Sequence, residues 1–238
     1  MLPPSDSIEM AYGRARFPVP ALVLDAHRAW IHRVISPGSW WSGTQRIEFV
    51  TAVWAALDDV ELLPAWVAPS AAGRVPAGRD LPGTAHDIAY RLARHAATCT
   101  EAWYGASLAA LDVEPPAYVE LVALAATAAA VHGFARGMAI DRPTLPEALP
   151  GEPDRLAPEL VPATLNWVPV RPPADQRASV VQALHAVPDD FDMVWTMAAA
   201  QYMPDHEMVN MDWQRGILHR RQMELVAARV SLLRECFF

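Results

Sequence analysis

From Ala21 to Ile35 the apolar residues Leu22, Leu24, Ala26, Trp30, Ile31 and Val34 recur near a 3.6-residue period, with His27, Arg28, His32 and Arg33 between them. That spacing predicts an amphipathic helix, ended by Ser36-Pro37-Gly38-Ser39. A second helix is predicted from Thr44, placed to act as N-cap, through Ile47, Phe49, Val50, Val53, Trp54 and Leu57, with Pro64 closing the segment. Residues Ala68 to Gly83 carry repeated Pro and Gly and read as a loop. Helical periodicity resumes from His86 to Ala97 and again from Thr100 to Leu111. Pro115-Pro116 is placed to open the next helix, because proline is tolerated in the first turn and not in the interior.

That next helix, Ala117 to Ile140, has only Glu120, His132 and Arg136 ionisable, so it is expected to be the central buried helix. Its Ala126 to Ala130 stretch reads as a packing face, since small side chains let helix axes approach. Asp141 to Gln176 is rich in Pro, with short apolar pieces such as Leu165 to Val170, and reads as an extended connection. Helical patterning returns at Ala178 to Leu184, Asp192 to Met203 and Trp213 to the end. No segment alternates as a half-buried strand does, so the fold class is all-α. The expected organisation is a helical unit over 1–140, a connection over 141–176 and a second unit beginning at 177–238.

Composition narrows the function classes. With 238 residues, 53% of them hydrophobic, the chain can fill one large core or two smaller ones. A net charge of -8 argues against a nucleic-acid or anionic-membrane surface, which needs a basic footprint. Every basic residue is Arg, which excludes Schiff-base chemistry on lysine. Cys99 and Cys236 are too few for a disulfide framework or a cysteine-rich zinc site. His95 and Cys99 are spaced i, i+4 and could both face one ligand, yet no further Cys or His completes a metal shell nearby, so no metal and no cofactor are expected. The N-terminus lacks a signal-peptide pattern, and the apolar run Leu121 to Val131 is too short to cross a bilayer, so a cytoplasmic protein without a membrane partner is expected. Asp205-His206-Glu207 follows Pro204 and reads as an exposed helix start, His132 as a core histidine with its hydrogen bonds met, and Trp40-Trp41 as packing.

Two stretches overlay without gaps: Ile47 to Val60 and Met223 to Cys236. Each puts a lone glutamate, Glu48 or Glu224, in an apolar helix, and most other pairs match apolar with apolar, which internal duplication explains economically. The second copy, Met223-Glu224-Leu225-Val226-Ala227-Ala228-Arg229-Val230-Ser231-Leu232-Leu233-Arg234-Glu235-Cys236-Phe237-Phe238, resembles the active-site helix of the AhpD-like alkylhydroperoxidase / carboxymuconolactone decarboxylase superfamily. The family pattern is a glutamate, a Val-Ala-Arg-Val-Ser type run, then Cys-x-x-Cys and a histidine a few residues later. Cys236 matches the first cysteine, and the second would fall at the position following Phe238, so the resemblance implies a chain cut within the motif. Val60 stands at the cysteine place of the first copy, which implies a chemically degenerate first unit. Looser matches at Trp103, Tyr118 to Val122, Phe134 to Gly137, Leu145-Pro146 and Trp167 to Pro169 are similar to the long, duplicated branch of the superfamily.

The resemblance implies thiol-dependent reduction of a hydroperoxide, with a thiol electron donor and assembly as a homo-oligomer. Glu224 would be the relay glutamate and Cys236 the resolving cysteine, beside a second thiol that attacks the distal peroxide oxygen. On one straight helix Glu224 and Cys236 lie roughly 18 Å apart, so a direct relay needs the chain to turn between them. Other readings of the same residues stand beside these. Glu224 can equally be tied in a salt bridge to Arg229 or another arginine, and Glu48 and Glu120 lean structural. Cys236 can be a small buried hydrophobe. For the whole chain the alternatives are a non-catalytic helical assembly or binding protein, and a cysteine-independent decarboxylase or hydrolase working through Glu120 and His132.

Overall fold

Pro115 and Pro116 sit in the first turn of α6 (Pro115–Met138), a 24-residue helix that ends at Ala139 in the left-handed conformation (φ 53°). The computed structural model describes residues 4–59, 78–156, 158–163, 167–172 and 179–233. Within them the protein is all-α, with nine helices and one two-stranded hairpin. The helices other than α6 are α1 (Pro4–Tyr12), α2 (Ala21–Ile35), α3 (Gly43–Asp58), α4 (Gly83–Arg94), α5 (Glu101–Leu111), α7 (Ser179–Leu184), α8 (Pro188–Gln201) and α9 (Arg220–Leu233). Pro64, Val60 and the larger part of the predicted 68–83 loop lie outside the described residues, as does Cys236.

α6 is the axis of the core. Leu121, Leu124, Ala128 and Val131 are fully or almost fully buried, against Phe49, Val50 and Val53 of α3 and Ile88 and Ala89 of α4. The small residues act as predicted at Ala128, whose carbonyl accepts a hydrogen bond from Trp54 Nε1 at 3.0 Å, while Ala126 faces outward. Taken as a whole helix, α6 is long and apolar enough to cross a membrane, which the eleven-residue apolar run did not convey; two-thirds of its most apolar window is buried here, as in a core helix.

The helix starts correct the sequence reading in two places. α3 is capped by Ser42, not Thr44: Gln45 N donates to the Ser42 hydroxyl and the Gln45 side chain accepts from Ser42 N, a capping box. The predicted helix from Trp213 is instead the hairpin β1 (Gln214–Arg215) and β2 (Leu218–His219), with α9 starting only at Arg220. Gly216 at φ 57° supplies the turn between the two strands. α1 has no counterpart in the sequence reading, because its proline start and short apolar content carry little periodic signal.

Between Ala139 and Pro172 the described residues hold no helix, and Val161 pairs with Val170 in an isolated antiparallel bridge. Beyond that connection α8 returns to the first unit: it packs on α2 and α6, and Ala186, Val187, Met197 and Ala200 join the same core as residues of α2 to α6. The connection therefore separates α7 and α8 from the first unit in sequence and not in space. α9 contributes only Arg220 and Met223 as buried residues.

Candidate functional site

The most unusual chemistry in the interior is a network of four ionised side chains. Arg46 of α3 is fully buried, and its guanidinium binds Glu120 of α6 through Nη1 and Asp190 of α8 through Nη2, the latter at 2.7 Å. Arg33 of α2 grips Asp190 from the other side with a two-pronged contact, Nη2 at 2.7 Å and Nε at 3.2 Å. Glu120 completes its shell by accepting from Trp40 N at 2.8 Å. Two arginines and two carboxylates balance, so the cluster carries no net charge into the core.

Burial would raise the Asp190 carboxyl, but Arg46 and then Arg33 outweigh it and hold Asp190 below the usual carboxylate range. At Glu120 burial is the largest influence and pushes the carboxyl up, with Arg46 opposing and the Asp190 charge adding to the rise. Asp190 is thus the more acidic of the two. The arginine spacing gave no sequence signal, because Arg33, Arg46, Glu120 and Asp190 come from four different helices.

The turn after α2 is fitted to this cluster. Gly38 N donates to Trp41 O at 2.8 Å, and the Gly38 Cα lies so close to the Glu120 carboxylate and the Arg46 guanidinium that a methyl there would overlap both. Trp41 Nε1 donates to Ala117 O at 2.8 Å, and the Arg155 guanidinium lies over the Trp40 ring, so both tryptophans pack as predicted. Gly38→Ala should lower stability by roughly 1–3 kcal/mol, because the groups it would displace are buried ions rather than the end of a flexible side chain. Chemical denaturation of the variant checks this, and an unchanged midpoint would contradict the packing described.

Elsewhere the titratable groups singled out in the sequence are occupied. Glu48 accepts backbone N–H bonds from Arg79 (2.9 Å), Asp80 (3.1 Å) and Leu81 (2.8 Å), tying the segment that leads into α4 onto α3. His132 is buried and its Nδ1 lies 2.9 Å from Arg142 Nη1, while Arg142 Nη2 holds Asp58 at 2.7 Å. His27, fully buried, contacts Tyr12 Oη through Nδ1 (2.5 Å) and the Gln201 amide nitrogen through Nε2 (2.6 Å). With that amide donating to Nε2, the network assigns the proton to Nδ1 and makes Tyr12 Oη its acceptor. In the sequence this histidine carries no signal beyond its place on an amphipathic helix.

Of the two residues predicted for catalysis, Glu224 is described and Cys236 lies outside the described residues. Glu224 stands on α9, half-exposed, accepting from Tyr202 Oη at 2.9 Å and Arg220 Nε at 2.5 Å. The salt-bridge partner is therefore Arg220, not Arg229. Arg220 also reaches the carbonyls of Glu207, Met208 and Asn210, so the pair pins the 205–210 turn to α9. Asp205–Glu207 forms a 3-10 turn with an exposed His206.

The described thiol, Cys99, is free and half-buried just after the 3-10 turn Ala96–Thr98. Burial pushes it up to about 11, with Arg91 opposing and Asp87 adding to the rise, so it is almost wholly protonated near neutral pH and a weak nucleophile. Among the described residues no three of His, Cys, Asp and Glu converge as metal ligands. A cleft of about 380 Å³ opens between α1 and residues 141–147, lined by Ser7, Met10, Arg14, Arg142 and Glu147 among others; neither Glu224 nor Cys99 borders it.

These features define an all-α protein built around a buried, charge-balanced Arg–carboxylate network. No family model, curated protein or solved structure matches the chain.

Proposed function

We propose that this chain is a peroxidase-related protein of the AhpD-like type, which in the intact protein reduces hydroperoxides with thiols through a CxxC motif that begins at Cys236, with a glutamate and a histidine relaying protons. The observation that carries the reading is the Glu224-to-Cys236 pattern, whose described part forms the helix α9 and keeps Glu224 half-exposed beside the Tyr202 phenol. The reaction consumes one hydroperoxide and two thiols. The attacking thiolate takes the distal oxygen, the O–O bond breaks, and the alkoxide leaves as alcohol once protonated; the resolving thiol then displaces water from the sulfenic acid and a disulfide forms. In the intact protein Cys236 would be the resolving thiol, the attacking thiol would be the second cysteine of the family pattern, whose place falls after Phe238, and an external dithiol would return the disulfide to thiols. Glu224, hydrogen-bonded by Tyr202 and paired with Arg220, is the relay glutamate of the pattern, and with α9 unbroken from it to Leu233 a direct relay to Cys236 requires a turn after Leu233.

The arrangement gives little support to the cysteine-independent alternative, since the Glu120 oxygens are sealed on Arg46 and Trp40 N in the core. The test is hydroperoxide consumption by the polypeptide isolated from its source, with a dithiol as reductant. Cys236→Ser is expected to abolish multiple turnover while leaving one equivalent of peroxide consumed per chain. Glu224→Gln is expected to lower kcat and alter its pH profile. Absence of consumption by the unaltered protein, or multiple turnover that survives Cys236→Ser, would overturn the reading in favour of a non-catalytic assembly protein, which the bare apolar face of α9 independently suggests.

A further inference from the structure

A cleft of about 440 Å³ opens between the C-terminal end of α5, the turn after α2 and the connection that follows α6, lined by Trp40, Leu108, Val113, Asp112, Glu114 and Arg155. Its charged groups are uncommitted: Asp112, Glu114 and Arg155 make no ion pair among the described residues. Trp40 is 9% exposed, and its Nε1–H is buried with no acceptor among the described residues, a cost that folded interiors seldom leave standing.

The backbone is strained at the same place. Asp112 closes α5 in the left-handed conformation (φ 53°), and Arg155, a residue with no preference for it, adopts it as well (φ 56°). Arg155 is held there by its N–H, which donates to Ser39 O at 2.8 Å, and its guanidinium lies 5.6 Å from the centre of the Trp40 ring. Strain kept at an exposed arginine that serves no ion pair, on the rim of a cleft, points to a ligand.

We propose that this cleft binds a basic amino acid, its carboxylate on Arg155 beside the Trp40 indole and its two cationic groups on Asp112 and Glu114. Charge selects the class. Two carboxylates and one guanidinium leave a carboxylate in excess, and the last carbonyls of α5 deepen the negative potential. A basic amino acid carries one carboxylate and two cations, so it balances all three side chains. A dicarboxylate would set like charge against like, and a bare metal cation would meet the repulsion of Arg155. A carboxylate oxygen drawn to Arg155 also offers Trp40 Nε1–H the acceptor it lacks. Leu108 and Val113 give the ligand's methylenes an apolar wall, and the net charge of -8 draws cations toward the protein. The site is separate from the hydroperoxide reading, since neither Glu224 nor Cys99 lines it.

Nuclear magnetic resonance titration of the full chain with L-lysine is expected to give a Kd on the order of 0.1–1 mM, as befits a small ligand in an open cleft. L-Norleucine, which lacks the terminal ammonium, and 1,5-diaminopentane, which lacks the carboxylate, should each bind about tenfold more weakly. Asp112→Asn should weaken L-lysine about tenfold while keeping the end of α5, because asparagine tolerates the left-handed conformation. Arg155→Gly should abolish binding without lowering the thermal midpoint, because glycine adopts that φ freely. Gly105 borders the same cleft, and a Cβ there meets nothing within 4 Å. Gly105→Leu should therefore fill the cleft and also abolish binding, with α5 strengthened rather than weakened. Absence of L-lysine binding, equal affinity for L-lysine, L-norleucine and 1,5-diaminopentane, or affinity unchanged in both Arg155→Gly and Gly105→Leu would overturn the proposal.

Discussion

Arg46→Met is expected to lower the unfolding free energy by roughly 3–5 kcal/mol, the cost of breaking a buried ion cluster by removing one member. Methionine fills much of the volume, so the loss is electrostatic rather than a cavity. Without Arg46 the Glu120 carboxylate keeps only Trp40 N, and burial drives it to take up a proton; Asp190 keeps Arg33 alone. For a chain of this length the midpoint of thermal unfolding should fall by roughly 6–20 °C, measured by calorimetry. Replacing Arg46, Glu120 and Asp190 together with apolar residues of similar volume should cost far less than Arg46→Met, because no uncompensated charge is left behind. If the single and triple variants proved equally unstable, the cluster would owe its effect to shape and not to charge.

The second large effect is on pH dependence. Burial pushes His27 from 6.5 down to about 4, and its ring is held neutral between Tyr12 and Gln201, with Phe134 against its face. The unfolded chain therefore binds this proton first as pH falls. Stability from His27 is complete above about pH 6.5, declines between about 6.5 and 4, and has lost about 3 kcal/mol when the folded histidine itself protonates. Asp190, held below the usual carboxylate range, gives up its contribution further into acid and in the same direction. The two separate in a His27→Gln variant, which should flatten urea-derived stability between pH 6.5 and 4 while leaving the steeper acid limb. A slope in that window identical to wild type would show that another group is responsible.

The pattern of apolar positions by itself determined that the chain is all-α and where most helices lie, because burial at a 3.6-residue period is imposed locally. α2 spans the predicted Ala21–Ile35, and the prolines fixed the start of α6. The same local logic fails at 214–219, where Leu218 fits a helical stripe yet Gly216 turns the chain into a hairpin. The lone glutamates were visible in the sequence, and so was an arginine partner for Glu224, which Arg220 supplies; their distant partners were not. Glu120 binds an arginine of α3, Glu48 the backbone of a distant segment, and Glu224 a tyrosine after α8. Only the tertiary structure decided that α8 crosses back onto α2 and so delivers Asp190 to Arg46, that His27 is sealed between α1 and α8, and that α9 buries only Arg220 and Met223 while α3 buries Phe49, Val50 and Val53. The reason is physical: periodicity states which side of a helix avoids water, but which charge meets which, and which apolar face is covered, depends on how the helices are stacked.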